Sequence, residues 1–492
     1  MKKIIVLGGG AAGWLSALFA KKIFPENEVK VIESIKIGIL GAGEGSTPHL
    51  VSFLNFLEIN IFDLISKTKG TIKLGINFKD WNGEGTEYFH NFGSHNQFDS
   101  FNVENSFTHS CYSKYLINCI SKNLNLDDCI YGKILTKNKK VDVENESFSL
   151  HFDAHKIADY LKELALSRGV LHKEGEFKKF NFKEDGDISE VILEDNTNHF
   201  CDFIFDCTGF RRLIIGNTYK TKWIDYQKHL PMKKAIPFFL DQEDEITPCT
   251  HAVAMKYGWI WKIPLQHRFG SGYIYDSDYI NEEQALTEAE NKLNRKLNSP
   301  RVISFDAGRF SKVWVNNCIA VGLSAGFTEP LEATSLYITA QQLRFLLHYK
   351  DNLFNCEQTK KDNFNKIMGN TNDDILAFLY FHYLTKRSDS PFWKNFRSNT
   401  TIPENLKEKL ELLKEGIFIP QEFDYEKVFA GFTLNSYLVV GNGLGLIDNT
   451  KVKSIKGLNP TIEQYQNMML NYINETSSHN NFLKDCDVSY NN

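Results

Sequence analysis

The first 33 residues constrain the fold of this chain more than any other stretch. A short apolar run at residues 2–7 (KKIIVL) predicts a buried strand, and a glycine-rich turn follows at residues 8–13. Residues 14–23 carry apolar side chains at helical spacing, and residues 28–32 predict a second strand. Strand, glycine turn, helix and strand in this order are typical of a Rossmann unit, which begins a parallel sheet covered by helices.

The glycine turn has the spacing that dinucleotide binding requires. Gly8, Gly10 and Gly13 form a GxGxxG pattern, which lets the backbone turn tightly and approach a pyrophosphate. The backbone N–H groups of Ala11 and Ala12, at the expected start of the helix, attract the negative charge of that group. We therefore interpret the turn as a dinucleotide site.

An acidic residue follows at the expected distance. Glu33 ends the second strand 20 residues after Gly13, where an acid binds a ribose hydroxyl. The alternative, a glycine-rich turn without a ligand, explains the spacing but not the complete order of elements. A Rossmann unit at the start of a long chain is common in enzymes that use FAD, and we expect FAD here.

Later segments predict further contacts with the same cofactor. A second glycine-rich loop contains Gly43 and Glu44, and a later strand ends at Asp206 and is followed by Thr-Gly at Gly209. A third loop spans residues 322–332. The chain has no second complete GxGxxG for a nicotinamide cofactor, which indicates that it does not reduce its own flavin.

Composition excludes several other classes of protein. The chain has 492 residues, a net charge of −5 and a pI near 6.3, which argue against a nucleic-acid partner. We expect no membrane association and no signal peptide, because no apolar stretch could span a bilayer and Met1 leads directly into the first strand. Nine cysteines without metal-ligand spacing predict reduced thiols, no metal site and a cytoplasmic location.

The rest of the chain completes an α/β prediction: a Rossmann-type FAD-binding fold with a β-rich middle region and a helical C-terminal subdomain. Residues 71–78 (TIKLGINF) alternate and predict one half-buried strand that carries Lys73. We expect an FAD-binding and catalytic core at residues 1–362. Residues 363–492 should form a mostly helical subdomain packed on that core, with a frayed end from about residue 474.

Eight segments carry a family resemblance, and together they extend over most of residues 1–400. They are GGGAAGW at 8–14, GAGEGSTP at 41–48, KLGINFKDW at 73–81, HNFG at 90–93, FDCTGFR at 205–211, WIWKIP at 259–264, GLSAGFTEPLEATS at 322–335 and SPFW at 390–393. With these segments the sequence resembles the flavin-dependent tryptophan halogenase family. The resemblance implies a reaction in which FADH2 from a separate reductase, O2 and a halide give hypohalous acid, which halogenates an electron-rich aromatic ring.

The resemblance also assigns the residues that carry the chemistry. Lys73 matches the lysine that holds the hypohalous acid, as a haloamine or by a hydrogen bond, and Glu332 matches its partner glutamate. A desolvated lysine can lose its proton and act as a nucleophile, and a nearby carboxylate can polarise the halogenating species or accept the ring proton. Without this context, Lys73 would be interpreted as a lysine at a strand edge and Glu332 as a carboxylate at a helix start.

Other positions match residues that bind halide, flavin and substrate. The resemblance assigns halide binding to the backbone of Thr334 and Ser335, flavin contact to Leu323 and Leu336, separation of flavin from substrate to Trp259 and Trp261, and substrate contact to His90 and Phe92. A helix start is itself a plausible anion site, because its free N–H groups point outward. Taken alone, the tryptophans would be core aromatics and His90 a hydrogen-bonded strand histidine.

The chain departs from the family in ways that bear on the substrate. Ala333 replaces a serine that many members have, and residues 423–448 do not match the set that binds free tryptophan. Another indole, a phenol or a larger aromatic compound is therefore at least as good a candidate. Two alternatives to a halogenase remain: a flavin monooxygenase that hydroxylates an aromatic substrate, and a flavin-binding protein without turnover.

Overall fold

The computed structural model describes residues 1–34, 36, 43–93, 109–298, 301–424, 431–458 and 460–490. The strands in this part of the chain are β1 (Lys3–Leu7), β2 (Glu28–Glu33), β3 (Glu44–Gly45), β4 (Thr71–Lys73), β5 (Gly75–Lys79), β6 (Glu87–Asn91), β7 (Ser149–Phe152), β8 (Leu171–Glu174), β9 (Phe177–Phe182), β10 (Ile188–Leu193), β11 (Asn198–Phe200), β12 (Phe203–Asp206), β13 (Trp223–Asp225), β14 (Lys234–Leu240), β15 (Thr250–Ala254), β16 (Gly258–Pro264), β17 (Phe269–Tyr275), β18 (Ile303–Ser304), β19 (Gly308–Phe310), β20 (Trp314–Val315), β21 (Cys318–Ala320) and β22 (Gly326–Phe327).

The helices of the described residues surround these strands. They are Ala11–Ile23, Pro48–Phe56, Ile61–Thr68, Cys111–Ser121, Tyr131–Lys137, Ala154–Ser167, Glu282–Leu293, Thr334–Leu346, Gln358–His382, Pro391–Asn399, Glu404–Lys414, Pro420–Asp424, Leu434–Gly443, Ile462–Glu475 and His479–Tyr490. No single helix among them is long and apolar enough to cross a bilayer, although the bent pair Pro48–Phe56 and Ile61–Thr68 meets the length and composition test when taken together.

The predicted Rossmann unit is present at the start of the chain. A six-stranded sheet has the order β20-β21-β12-β1-β2-β8, and all its neighbours are parallel except β20 and β21. Gly8 has φ +119°, and a Cβ there would lie 2.1 Å from the carbonyl oxygen of Cys207. A Cβ on Gly13 would lie 2.0 Å from the carbonyl oxygen of Gly8. These two glycines therefore let the helix Ala11–Ile23 pack directly against the end of β1.

The β-rich middle region forms most of a seven-stranded sheet with the order β18-β14-β17-β16-β15-β5-β6. Its neighbours are antiparallel except β15 and β5, which run parallel. This sheet carries Trp259 and Trp261 on β16 and His90 on β6. One apolar cluster joins part of this sheet, including Trp259, to the Rossmann sheet and the C-terminal helices, and a second cluster contains Ile236, Phe269 and Tyr273 of the same sheet.

Residues 71–78 are not one half-buried strand, and that prediction was wrong. β4 pairs with β7 in a small antiparallel sheet of order β3-β7-β4, whereas β5 belongs to the seven-stranded sheet. Between them, the N–H of Leu74 donates to the carbonyl oxygen of Pro248. All eight residues are buried, because structure covers both faces of the segment. The alternation of apolar and polar residues therefore did not distinguish a face that contacts the core from a face that is exposed to solvent.

The end of the chain also differs from the prediction of a frayed terminus. The helix His479–Tyr490 packs against the helix Ile61–Thr68. The side chain of His479 is buried, its Nε2 accepts the N–H of Ile72 at 3.1 Å, and its Nδ1 donates to the carbonyl oxygen of Ile246 at 3.0 Å. The polar composition of this segment predicted no packing role. The buried His479 nevertheless joins it to β4, the strand that carries the candidate lysine.

We predict that His479→Ala lowers the free energy of unfolding by about 1–3 kcal/mol, because it leaves the buried N–H of Ile72 without an acceptor. His479→Gln, whose amide can both donate and accept, should retain most of the stability at pH 7. The exposed His155 on the helix Ala154–Ser167 provides the control variant His155→Ala. Denaturant unfolding of the three variants measures the effect, and equal stability of His479→Ala and His155→Ala would contradict it.

The same residue predicts a pH dependence of stability. Burial lowers the pKa of His479 from 6.5 to about 4, so the folded chain holds this imidazole neutral while the unfolded chain protonates it below 6.5. Stability should therefore fall as the pH drops from 6.5 towards 4, by about 1.4 kcal/mol per pH unit for this group. The loss should be smaller in His479→Gln.

Candidate active site

The first glycine turn forms an open cradle at the end of β1. A Cβ on Gly10 would meet nothing within 4 Å, in contrast to those on Gly8 and Gly13. No side chain caps the helix Ala11–Ile23, and its first turn has no acidic residue. An uncapped helix start beside open space suits a pyrophosphate, so the residues present fit the dinucleotide part of FAD.

Glu33 lies beside this cradle. Its Oε1 is 2.6 Å from the Nζ of Lys162 and 2.9 Å from the Nε2 of His172. A Cβ on Gly9 would lie 1.5 Å from the Glu33 Oε2, so the carboxylate extends over the turn itself. The structure thus places Glu33 beside the first glycine turn, and its binding of a ribose hydroxyl stays a prediction.

Two of the later loops approach the same cradle. A Cβ on Gly322, in the 3-10 turn Gly322–Ser324 that contains Leu323, would lie 2.8 Å from the Cβ of Ala12. Gly209 has φ +62° and open space around its Cα. The loop of Gly322 therefore lies against the first turn, and Gly209 follows the strand β12, which pairs with β1.

The carboxylate of Asp206 accepts hydrogen bonds within the turn that follows β12, and the contact of this residue with the cofactor stays a prediction. Its side chain is buried, and Oδ1 accepts the N–H and the Oγ1–H of Thr208. Oδ2 accepts the N–H groups of Ile214 and Ile215. Both oxygens are used because the turn after β12 leaves several buried N–H groups that need acceptors.

Lys73 lies where the second glycine-rich loop meets the third loop. Its side chain is buried, and its Nζ donates to the carbonyl oxygen of Ser46 at 3.1 Å. The Nζ also lies 5.0 Å from the centre of the Phe92 ring. A Cβ on Gly45 would lie 3.3 Å from this Nζ and 3.4 Å from the Cβ of Ala333. Gly45 therefore leaves the space that the amine occupies.

The described part of the second glycine-rich loop begins at Gly43. Gly43 has φ +148° and approaches the Cα of Gly270 on β17. Glu44 begins β3, where burial raises its pKa to about 7. Pro48 occupies the first turn of the helix Pro48–Phe56, and the hydroxyl of Ser46 lies within hydrogen-bond distance of the hydroxyl of Ser149.

Burial changes the acidity of Lys73. Desolvation lowers its pKa to about 8, although the negative charge of Glu332 acts in the opposite direction. At pH 7 about a tenth of such amines are unprotonated, against fewer than about one in a thousand for an ordinary lysine. The side chain can therefore act as a nucleophile near neutral pH.

Glu332 is held between two histidines. It ends the 3-10 turn Pro330–Glu332, and its Oε1 and Oε2 lie 2.9 Å and 3.0 Å from the Nδ1 of His90. The Nε2 of His382, the last residue of the helix Gln358–His382, lies 2.9 Å from Oε1. Burial raises the pKa of Glu332, but the interactions with His90 and His382 outweigh burial and hold the pKa at about 2. Glu332 is therefore an ionised carboxylate at neutral pH.

A second buried carboxylate in the same loop behaves in the opposite way. Glu329 accepts a hydrogen bond from the hydroxyl of Tyr383 at 2.5 Å. Burial raises the pKa of Glu329 to about 8, so it is protonated at neutral pH. Two glutamates three residues apart thus differ in charge because only Glu332 has imidazole partners.

The predicted halide residues begin a helix. Thr334 is the first residue of Thr334–Leu346, and no side chain caps this helix or adds negative charge to its first turn. The preceding Ala333 has φ +55°, a left-handed conformation that is strained for alanine. Ser335 is exposed and lines a cleft with Thr328 and Asn372. Leu336, in the first turn, is buried.

The two tryptophans of β16 lie side by side on one face of the seven-stranded sheet. Their ring centres are 6.3 Å apart, and the Trp259 side chain is 1% exposed. A Cβ on Gly272 would lie 2.1 Å from the Trp261 ring, so this ring lies directly over β17. Small cross-strand neighbours therefore let both rings lie close to the sheet.

His382 is the functional residue that sequence reasoning missed. It lies 50 positions after Glu332, at the end of a helix whose sequence shows only helical periodicity. Its Nδ1 lies 2.9 Å from the hydroxyl of Tyr88, on the same strand as His90. Tyr88 and His90 lie two residues apart on one strand, whereas His382 comes from a helix far away in the sequence.

Known proteins resemble this chain in sequence and in structure. The tryptophan halogenase family model matches residues 3–459. Tryptophan 7-halogenase KtzQ of Kutzneria sp. (strain 744) is similar to this chain, at 30% identity over 488 residues that cover 91% of this chain and 90% of KtzQ.

Solved structures share the whole fold. Xcc4156, a flavin-dependent halogenase from Xanthomonas campestris, matches with a TM-score of 0.87 and 26% identity over 98% of both chains. Tar14, a tryptophan C-6 flavin-dependent halogenase (chlorinase) from taromycin biosynthesis, matches with a TM-score of 0.88 and 27% identity over 99% of this chain and 100% of its own.

The electrostatic link between the two candidate residues can be measured. We predict that Glu332→Gln lowers the pKa of Lys73 below about 8, because it removes the negative charge that stabilises the ammonium form. Carbon-13 NMR of protein labelled at the lysine side chain, with Lys73 assigned by substitution, follows this titration.

Glu329→Gln is the matched control. It replaces a buried glutamate of the same loop that is already neutral at pH 7, so the pKa of Lys73 should change little. Equal shifts in the two variants would show that the charge of Glu332 does not act on Lys73.

Proposed function

This chain belongs to the tryptophan halogenase family, and we propose that Lys73 delivers oxidised halogen to an electron-rich aromatic substrate with the help of Glu332. The chain is a flavin-dependent halogenase that uses FADH2, and its relatives favour halogenation over aromatic hydroxylation. Halide and an aromatic compound are the substrates of such enzymes. The roles of the individual residues and the class of the aromatic substrate are the parts that we propose.

The position of the Lys73 amine carries the proposal. The Nζ is buried, contacts the second glycine-rich loop at Ser46 and faces the ring of Phe92. An amine in that position can receive a reactive halogen on the side of the flavin loop and present it on the side of an aromatic ring. A lysine that served only to stabilise the fold would be expected to hold an ion pair, as the buried Lys133 does with Glu87 and Asp127.

Lys73 and Glu332 then have distinct tasks. When bound, FADH2 supplies the two electrons with which O2 and halide give hypohalous acid. The unprotonated amine of Lys73 can accept the halogen as a haloamine, and its ammonium form can hold hypohalous acid by a hydrogen bond. The ionised Glu332 stabilises positive charge that develops on the aromatic ring during the reaction.

The surrounding residues position the other components. The uncapped start of the helix Thr334–Leu346 supports halide binding at the N–H groups of Thr334 and Ser335, with Leu323 and Leu336 beside the flavin. Trp259 and Trp261 form a barrier that keeps the flavin away from the substrate. Such a barrier leaves the halogen route through Lys73 as the productive one.

The substrate is an indole- or phenol-like compound in this proposal. His90 and Phe92 contribute to the substrate side of the site, where the Phe92 ring can stack on an aromatic ring. KtzQ and Tar14 are named for tryptophan, but residues 423–448 of this chain do not match the expected amino-acid-binding set, and residues 425–430 lie outside the described part. A separate flavin reductase supplies FADH2.

The test is a mass-spectrometric panel of indoles and phenols, run with a flavin reductase and with chloride, bromide or iodide in turn. The wild type should give a product that carries the added halide. Lys73→Ala should give none, while it oxidises FADH2 and releases hypohalous acid at the wild-type rate, because only the delivery step is lost.

Two further variants sharpen this prediction. Lys73→Arg should also fail to form a haloamine, because an arginine keeps its proton. Lys79→Ala, on the neighbouring strand β5, is the control and should keep product formation. Normal product from Lys73→Ala would refute the lysine mechanism, and a product without halogen would favour hydroxylation.

The halide assignment predicts a separate effect. Ser335→Asp places a carboxylate in the first turn of the helix Thr334–Leu346, which stabilises the helix but competes with halide for the same N–H groups. We expect the halide KM to rise by about tenfold or more, with little change in flavin binding. Steady-state kinetics with bromide measures the effect. Ser335→Asn introduces a side chain that is isosteric with aspartate but neutral, and it should change the halide KM much less. Equal halide KM values in the two variants would place the halide elsewhere.

A further inference from the structure

Glu332 belongs to a chain of hydrogen-bonding groups that ends at a ring nitrogen of His90 without a hydrogen-bond partner among the described residues. The hydroxyl of Tyr88 contacts the Nδ1 of His382, and the Nε2 of His382 contacts the Glu332 carboxylate. On the other side, this carboxylate contacts the Nδ1 of His90. All four side chains are buried, so the groups must satisfy one another rather than bind bulk water.

The chemistry of the members determines where the protons are. Glu332 is ionised and accepts only, so the Nε2 of His382 and the Nδ1 of His90 both donate to it. Burial raises the pKa of Tyr88 well above its usual value, so its phenol keeps its proton and donates to the Nδ1 of His382. Burial also lowers the pKa of His382, in accordance with a neutral ring that accepts at Nδ1.

Two ring nitrogens of this group, the Nε2 of His90 and the Nε2 of His382, are buried without a well-aligned hydrogen bond among the described residues. The Nε2 of His90 is buried and has no hydrogen-bond partner among the described residues. An imidazole that donates Nδ1–H to Glu332 and carries a single ring proton has its lone pair on Nε2. The Nε2 of His382 faces the Glu332 carboxylate at 2.9 Å, whereas His90 turns its Nδ1 to this carboxylate and its Nε2 away from it.

His90 is also next to the delivery site. It lies on β6 two residues before Phe92, and the Lys73 amine faces the Phe92 ring at 5.0 Å. The rings of Phe378 and Phe432 lie 5.4 Å and 6.2 Å from the His90 ring. An aromatic substrate that reaches Lys73 along Phe92 therefore has the Nε2 of His90 as a nearby basic atom.

We propose that His90 is the catalytic base that removes the ring proton after halogen transfer, and that Glu332 acts through it. This inference rests on the proposed function. In the step, the C–H bond of the halogenated ring breaks, its electron pair restores aromaticity and the proton binds to Nε2. The resulting imidazolium is stabilised by the Glu332 carboxylate and later gives its proton to water. The overall change is ArH plus HOX to ArX plus H2O.

The same geometry gives Glu332 and His382 supporting roles. Both oxygens of Glu332 already lie within hydrogen-bond distance of imidazole nitrogens, and a carboxyl with a pKa of about 2 is a weak base. Glu332 fixes the tautomer of His90, as the buried carboxylate does in a catalytic carboxylate–histidine pair. His382, tied to Tyr88, holds this carboxylate in place and is a positioning residue.

The first test measures the tautomer and needs no substrate. Long-range proton–nitrogen NMR of the full chain labelled with 15N-histidine, with His90 assigned by its loss in His90→Gln, should show Nδ1 protonated and Nε2 unprotonated at pH 7. Glu332→Gln should shift His90 towards the Nε2–H form, because the acceptor for Nδ1–H loses its charge. A wild-type His90 protonated at Nε2, alone or as the imidazolium, would overturn the proposal.

The second test measures proton removal with indole and ring-deuterated indole. In the wild type the two should react at equal rates, because loss of the ring proton is fast. In His90→Gln the rate of product formation should fall about tenfold or more. A primary isotope effect above unity should appear, while FADH2 oxidation and hypohalous acid release stay at the wild-type rate.

The outcomes separate this inference from the proposed function. A purely structural or stacking role of His90 would slow both isotopologues equally, and an isotope effect of one in His90→Gln would therefore reject the catalytic base. A wild type that halogenates no indole or phenol contradicts the proposed substrate class instead, and the tautomer measurement then decides the role of His90.

Discussion

Removal of charged groups from water is the constraint on which this site depends. Lys73 and Glu332 are both buried, and an isolated charge in a protein interior is strongly unfavourable. The two residues respond differently. Lys73 has one carbonyl acceptor and an aromatic ring, so its proton is held weakly. Glu332 has two imidazole partners, so it remains ionised. The contrast places a partly neutral amine beside a permanent negative charge.

The fold achieves this arrangement by bringing four distant segments together. Lys73 comes from a small sheet, His90 from the edge of the seven-stranded sheet, Glu332 from a turn before a helix, and His382 from the end of a long C-terminal helix. The helix that contains His479 then supports the strand of Lys73 from behind. Residues from both the sheets and the helical C-terminal region therefore contribute to the candidate site.

Local patterns predicted much of this molecule. The strand, glycine turn, helix and second strand at the start of the chain were predicted within a few residues, because Gly8 and Gly13 are needed for a tight turn and close helix packing. The helix start at Thr334 and the strand of His90 were predicted in the same way. Two predictions were wrong: a single strand over residues 71–78 and a frayed terminus. Each depended on which groups lie across from the segment in space.

The sequence by itself therefore determined the Rossmann unit, the family and the choice of candidate site residues, because these follow from residues close together along the chain. Only the tertiary structure decided that Lys73 is partly neutral, that Glu332 is enclosed by two histidines and that one nitrogen of His90 is left open. Acidity and tautomer depend on burial and on partners such as His382, 50 positions from Glu332, and packing alone brings such groups within hydrogen-bond distance.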